Sequence, residues 1–316
     1  MLNIIKLRTS YLFSRKHITG FKNVSPSFIS VEPANFCQLH CPECPVGNSR
    51  TKKGTVSTFN ETLFNQLINK LKVDLVQTIF YFQGEPFLHK KVCEMIKYAH
   101  NARIYTSTST NAQIITSDLA KDIVESGLDN LIVSIDGTTQ EVYEKYRVGG
   151  SLQKALEAVE HINHWKETLN SVTPMVEIQF LVLKTNEHQM EEMKGLCKKI
   201  KADKLTFKTA QLYDFENGHP LLTSKDKYAR YKKGKDGKYH IRKKQRNRCW
   251  RLWSGAVVNT NGDVLPCCFD KNADYSFGNI NETSFMECWH SKKASGFRER
   301  ILKNRKQYEM CRNCTS

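Results

Sequence analysis

Phe28-Ile29-Ser30-Val31-Glu32-Pro33-Ala34-Asn35-Phe36-Cys37-Gln38-Leu39-His40-Cys41-Pro42-Glu43-Cys44 sets an apolar, β-branched run just before three closely spaced cysteines. The run reads as a strand, so the C-x3-C-x2-C triplet stands on the loop leaving that strand. Working outward, the strand spans about 27–33, and similar runs recur near 78–83, 103–109, 131–136, 176–182 and 204–209. Amphipathic segments lie between them. Thr58-Phe59-Asn60-Glu61 has capping-box spacing ahead of Leu63, Leu67, Ile68 and Leu71. Gly127 stands where a helix through Leu119, Ile123 and Val124 should stop, and Leu152, Ala155, Leu156, Val159 and Ile162 form another apolar face. Alternation of this kind builds an α/β fold with a parallel sheet. Six βα units fit either an incomplete barrel or an open doubly wound sheet, and both put chemistry at the carboxyl ends of the strands.

After residue 215 the pattern fails. Lys225 to Arg248 is polar, contains glycine and is strongly basic, which reads as a linker or mobile loop. A second unit begins at Cys249, where Ala256 to Leu265 forms two short apolar runs around Asn261-Gly262, a hairpin signal. The expected organisation is a basic extension over 1–24, a core over 25–215, a basic linker over 216–248 and a C-terminal domain over 249–316.

The 316 residues are 40% hydrophobic and 25% charged, enough for one large domain and a smaller appendage. No apolar stretch is long enough for a membrane helix, and charges interrupt the N-terminus before a signal-peptide core forms, so a cytoplasmic location is expected. The N-terminal stretch itself reads as a solvated arm. Eleven cysteines in a reducing compartment point to metal or catalysis rather than disulfides. The formal charge of +16 is concentrated: Lys225 to Arg251 holds thirteen Lys/Arg against Asp226 and Asp236. Such a segment raises the question of an anionic partner.

Three soft thiolates suit iron–sulfur ligation, and a four-iron cluster held by three leaves one iron open to another ligand. The triplet Cys37, Cys41 and Cys44, in this position, resembles the signature of the radical S-adenosylmethionine (SAM) superfamily. That resemblance implies a partial (β/α)6 TIM-like barrel, a SAM-cleaving 4Fe-4S cluster on those cysteines, and SAM as cofactor. Gln83-Gly84-Glu85-Pro86 resembles the superfamily's GGEP motif, with Gln in the first place, and implies contacts to the SAM amino group. Ser134-Ile135-Asp136-Gly137 resembles a segment that approaches the SAM ribose or carboxylate, and Ser109 and Asn111 end the third strand in the same orientation. Asn186-Glu187-His188 is assigned to capping. Glu43 stands where relatives often carry an aromatic residue.

Cys249, Cys267, Cys311 and Cys314 resemble a SPASM/twitch module, which implies a small hairpin-plus-helix domain holding one auxiliary 4Fe-4S cluster. Cys268 adjoins Cys267, as an alternative ligand or with a separate role, and the spacing of the resemblance favours Cys267. Cys93, Cys197 and Cys288 read as packing residues, Trp250 and Trp253 as an apolar shell around the auxiliary group, and His40 as a solvated loop residue. A fully ligated auxiliary cluster points to outer-sphere electron transfer, hence to dehydrogenase-type oxidation of a small molecule or side chain. A peptide-modifying maturase, by crosslinking or epimerisation, is the nearest rival; the stretch before the first strand is short for a peptide-binding domain. RNA binding or modification through the basic segment, with Tyr228, Tyr231 and Tyr239 interspersed, is the rival of another class, and nucleic acid is the less favoured partner. An external low-potential donor such as flavodoxin or ferredoxin is implied. No substrate-contacting catalytic residue is assigned.

Overall fold

Strands form where the β-branched and aromatic runs lie: β1 (Phe28–Val31), β2 (Gln77–Ile79), β3 (Tyr105–Thr110), β4 (Asn130–Ser134), β5 (Met175–Val182), β6 (Lys204–Thr209), β7 (Tyr231–Lys233), β8 (Tyr239–Ile241), β9 (Gly255–Val258) and β10 (Val264–Leu265). The computed structural model describes residues 2–15, 24–48 and 56–315. Eight strands share one sheet in the order β10-β9-β1-β2-β3-β4-β5-β6, and β7 pairs with β8. Pairing is parallel for β1 with β2 and β9, and along β3, β4, β5 and β6; β10 runs antiparallel to β9. A doubly wound sheet reverses its strand order at a switch point, whereas β1 to β6 advance in sequence order, so the fold is the partial barrel.

The chain divides into two compact units within β3. The first comprises Met1–Phe36, Thr51–Thr106 and Gln245–Ser316, the second Cys37–Arg50 and Ser107–Lys244. In the first unit, Ile29 and Val31 of β1 are buried, as are Phe64, Leu67, Ile68 and Leu71 of the helix Glu61–Leu71. Asn60 caps that helix by accepting from the Leu63 amide, while Thr58 is extended and bridges Ala34, so the expected capping box is replaced by a single Asn cap. The expected solvated arm is in fact a helix, Leu2–Arg15. Leu7 is buried, and Tyr11 packs edge-on against Trp250 and tilted against Trp253 at ring centroids of 5.5 and 5.0 Å. Apolar residues at helical spacing drive this, since Leu7 and Tyr11 lie one turn apart on one face. Residues 16–23 of the stretch lie outside the described residues. Two C-terminal helices follow, Phe285–His290 and Lys292–Asn304, and the first carries Trp289, whose indole donates to the Val24 carbonyl at 2.8 Å.

In the second unit the helices Ser117–Glu125 and Leu152–Thr168 bury Ala120, Ile123, Val124, Ala155, Ala158, Val159 and Ile162, and Gly127, at φ 72°, lets the chain leave the first of them. The basic stretch differs from the expected linker. Part of it is the β7–β8 hairpin, with Tyr231 opposite Ile241 and Lys232 opposite His240. Strand alternation sends these two pairs to opposite faces. Tyr231 is buried, stacks on Phe215 at 4.1 Å, and its hydroxyl donates to the Leu212 carbonyl and accepts from the Leu212 amide. The abundance of lysine hid an apolar face only three residues wide.

Candidate functional site

The cysteine loop belongs to the second unit and is held by polar groups of that same unit. Asn111, buried at the end of β3, donates its side-chain amide to Cys37 Sγ at 3.3 Å and accepts from Gln38 Nε2 at 3.1 Å. The Leu39 amide also points to Cys37 Sγ, at 3.4 Å. The turn between the other two cysteines closes through the Cys44 amide on the Cys41 carbonyl. Glu43 accepts from the Tyr213 amide at 2.6 Å and lies 3.5 Å from His219 Nε2, which ties the loop to the segment after β6. Leu39 and Cys41 sit in an apolar cluster with Leu183, Ala210, Leu212 and Tyr231.

Asp136 is fully buried at the end of β4. Its Oδ2 accepts from Arg147 Nε at 2.6 Å and its Oδ1 from the Leu181 amide at 2.6 Å. Arg147 also reaches Cys41 Sγ, at 3.9 Å. Burial pushes the Cys41 thiol pKa up, and the Arg147 charge pulls it back. Asn186, expected as a cap, instead donates to the Asp136 and Leu181 carbonyls and accepts from the Leu183 amide, which locks the ends of β4 and β5 together. Ser134 is buried beside Asp136 in sequence.

In the first unit, Gln83 to Pro86 lie against the chain leading into the cysteine loop. The Glu85 amide donates to the Phe36 carbonyl at 2.9 Å. Gly84 is required by close approach, since a Cβ there would stand 2.1 Å from the Ala34 carbonyl oxygen. The Glu85 carboxylate accepts from the Phe87 amide and Pro86 begins a single 3-10 turn, while Gln83 donates to the Lys271 carbonyl at 2.8 Å. Glu32, at the end of β1, was not singled out by sequence reading. It is buried, and its Oε2 accepts from the Thr260 amide.

The four C-terminal cysteines lie close enough to act on one another's charge. Cys314 raises the pKa of Cys249 and of Cys311, and Cys249 and Cys311 raise that of Cys267, in each case beneath a larger effect of burial. Cys311 is pushed up to about 11. The buried Arg305 stands among Cys249, Cys311 and Cys314, which favour its charged form. Gln245, another residue the sequence did not flag, donates its side-chain amide to the carbonyls of Cys311, Arg312 and Cys314 at 2.7 to 2.9 Å. Cys268 accepts from Arg251 at 3.5 Å. Cys197 and Cys288 are buried as expected, Cys93 is half-buried, and His40 is exposed.

Among the described residues no three of His, Cys, Asp and Glu already stand in a metal-holding arrangement, so suitability for an iron–sulfur group rests on donor chemistry and surroundings. Both fit. Each set is all-thiol, and each is met by N–H groups or a buried guanidinium that would stabilise thiolate charge.

Comparison with known proteins agrees. Residues 31–194 match the model of the radical SAM superfamily, and residues 249–315 match SPASM, an iron–sulfur cluster-binding domain. The tungsten-containing aldehyde ferredoxin oxidoreductase cofactor-modifying protein of Pyrococcus furiosus is 22% identical, over 91% of this chain and 87% of its own length. Mycofactocin maturase MftC of Mycobacterium tuberculosis is 23% identical, over 92% and 76%. PqqA peptide cyclase of Bradyrhizobium diazoefficiens is 23% identical over 60% of this chain, and the match spans 47% of the cyclase. Among solved structures, BtrN in complex with AdoMet and 2-DOIA superposes with a TM-score of 0.56 at 19% identity, over 93% of this chain and 95% of that one. SuiB of Streptococcus suis bound to precursor peptide SuiA gives 0.63 at 15%, over 91% and 69%. Both likenesses establish the fold. Among the described residues no helix is long and apolar enough to cross a membrane.

Proposed function

Because this chain belongs to the radical SAM superfamily and carries a SPASM iron–sulfur domain, and is thus an enzyme that cleaves SAM to generate a radical, we propose that it uses that radical to modify a peptide or precursor substrate. The observation that carries this reading is the company of relatives, one named a mycofactocin maturase and matched over 92% of this chain, the other named a peptide cyclase and matched over 60% of it. It displaces the small-molecule oxidation that the sequence alone favoured. That oxidation remains the second reading, supported by the near-complete two-way coverage of BtrN.

In this proposal Cys37, Cys41 and Cys44 hold the SAM-cleaving 4Fe-4S cluster, and Cys249, Cys267, Cys311 and Cys314 hold the auxiliary one. When bound, the first cluster supplies the electron for reductive cleavage of SAM, fed from an external low-potential carrier such as flavodoxin or ferredoxin. The chain's own part is to orient and to shield. Asn111 and the Leu39 amide stabilise charge on Cys37, Arg147 does so on Cys41, and Leu39, Leu183 and Leu212 exclude water around them. Glu85 and the backbone of Gln83 to Pro86 are assigned to the SAM amino group, with Ser109, Asn111 and Ser134 toward the rest of the cofactor. Asp136 acts through Arg147, because both of its oxygens are engaged.

The test is anaerobic reconstitution with iron and sulfide, then dithionite and SAM, with 5′-deoxyadenosine quantified by chromatography. The intact protein should form it, and alanine at Cys37, Cys41 or Cys44 should abolish it. Peptides against polyols as stimulants of that turnover separate the two substrate readings. No deoxyadenosine from the intact, iron-loaded protein under any of these conditions would overturn the proposal.

A further inference from the structure

We propose that the exposed face of the β7–β8 hairpin is the docking surface for an acidic one-electron carrier protein. The inference rests on the radical SAM reading, which requires one electron from outside for each cleavage of SAM. Three observations point to this face.

The first is charge. Lys225 to Lys244 holds ten Lys/Arg and two Asp, and both carboxylates are engaged within the segment, Asp236 on His240 at 2.8 Å and Asp226 on Arg242 at 3.0 Å. Lys232, Lys233, Lys235, Lys238, Lys243 and Lys244 are all exposed. Like charges this dense raise a positive local potential over this face, which draws and orients an anionic partner.

The second is position. The hairpin's other face, Tyr231, Tyr239 and Ile241, packs on the same apolar cluster as Leu39 and Cys41, with Cys37 and Cys44 at its margin. A carrier seated on the lysines is therefore separated from the cysteine triplet by one hairpin and a layer of side chains. Electron transfer falls steeply with distance, which makes this a favourable place of entry. The step moves one electron from the reduced carrier, which is oxidised by one, to the iron–sulfur group on Cys37, Cys41 and Cys44; no bond or proton changes hands.

The third separates a protein from a nucleic acid. Binding of single strands needs aromatic faces open to bases beside the phosphate contacts. Here Tyr231 is buried on Phe215, Tyr239 packs inward, and Tyr228 stands edge-on to Phe207 at 5.7 Å. What the hairpin offers outward is charge, with its two tyrosines turned to the packed face and the exposed His240 held on Asp236.

The experiment compares the reconstituted protein with the Lys232→Glu/Lys235→Glu/Lys238→Glu variant, exposed positions on the outward face or in the turn, away from the face that carries Tyr231, Tyr239 and Ile241. The probe is flavodoxin: its affinity is read from flavin fluorescence at low and high salt, and the rate at which its hydroquinone bleaches the visible absorbance of the cluster is read by stopped flow. The variant should bind flavodoxin at least about tenfold more weakly at low salt, lose most of the salt dependence, and be reduced correspondingly slowly. Its dithionite-driven deoxyadenosine yield should match the parent, because a small reductant needs no docking. Unchanged flavodoxin affinity and rate overturn the docking surface, as does a variant that loses only retention of tRNA. Failure of the parent with dithionite falls instead on the radical SAM reading.

Discussion

Arg147→Met removes the cation paired with the buried Asp136 carboxylate, and its cost can be worked from the contacts. Asp136 is fully buried and the Arg147 side chain is 16% exposed, with 2.6 Å between Nε and Oδ2. Breaking such a pair leaves an uncompensated charge and typically costs about 3–5 kcal/mol. The Leu181 amide still donates to Oδ1, and a hydrogen bond to a charged group is worth about 1.5–3 kcal/mol, so part of the carboxylate's solvation survives. A loss of about 3 kcal/mol is the expectation. Asp136→Asn preserves an acceptor for Leu181 but strands the guanidinium, and should cost a similar amount. The two together should cost less than their sum by about 2 kcal/mol, because the double variant leaves neither charge unpaired. Urea unfolding of anaerobic, iron-loaded protein measures all three, with visible absorbance and fluorescence as separate probes of a chain that has two units. Hydrogen exchange at the Leu181 amide supplies a local readout. Single variants within about 0.5 kcal/mol of the parent, or strict additivity, would refute the assignment of Asp136 and Arg147 as a coupled pair.

Two further predictions concern pH. Burial raises Glu32 to about 7 from 4.5, against the opposing Thr260 amide, Lys271 charge and Gln83 amide, so folding disfavours its ionised form. The resulting penalty is absent below about pH 4.5 and complete above about pH 7; Glu32→Gln should match the parent near pH 4.5 and melt higher at pH 8, by on the order of 3 kcal/mol at most, and a lower melting temperature at pH 8 would contradict this. Glu187 behaves in the opposite sense: burial is outweighed by the hydroxyls of Ser224 and Thr223 and by Lys184, which hold it at about 2. Its contribution is full above about pH 4.5 and lost as pH falls toward about 2, so the gap in unfolding midpoint between the parent and Glu187→Gln should close across that window; a gap independent of pH would count against the carboxylate. Gly84→Ala should cost about 3 kcal/mol or more, seen as a lowered melting temperature and poor soluble yield, since its Cβ would meet backbone that cannot yield cheaply. Parent-like melting would show that the 34–36 segment moves aside.

The barrel was readable because its evidence is local. Each of β1 to β6 announces itself by a run of β-branched or aromatic residues, and each helix by its period, so strand and helix were placed without knowing their neighbours. What periodicity could not separate, a barrel from a doubly wound sheet, depends on which strands pair, and pairing joins residues well outside one another's local window, Phe28 with Gln77 and Asn130 with Met175 among them. The same limit explains the linker. A hairpin of three-residue strands buries only Tyr231 and half-buries Tyr239 and Ile241 among ten cations, so composition outweighs alternation there. The N-terminal helix failed for a related reason. Its partner surface, Trp250 and Trp253, lies more than two hundred residues away, and nothing within residues 2–15 names it.

For the candidate site the division falls between groups that bind by chemistry and groups that bind by place. Cysteine triplets, Gln83 to Pro86 and Ser134 to Gly137 carry their meaning in identity and spacing, because soft thiols or a glycine pressed on backbone have few substitutes. Arg147, Gln245 and Asn186 carry none in spacing. Arg147 matters because helix and loop bring it to Asp136, eleven residues before it, and to Cys41, over a hundred before it. Gln245 matters because one amide can meet three carbonyls of the Cys311 to Cys314 turn. Any long donor could occupy such a position in sequence, and only folding selects one. It follows that the residues most open to prediction are those least replaceable in kind, whereas the ones that adjust charge and geometry around them are legible only after the chain has closed on itself.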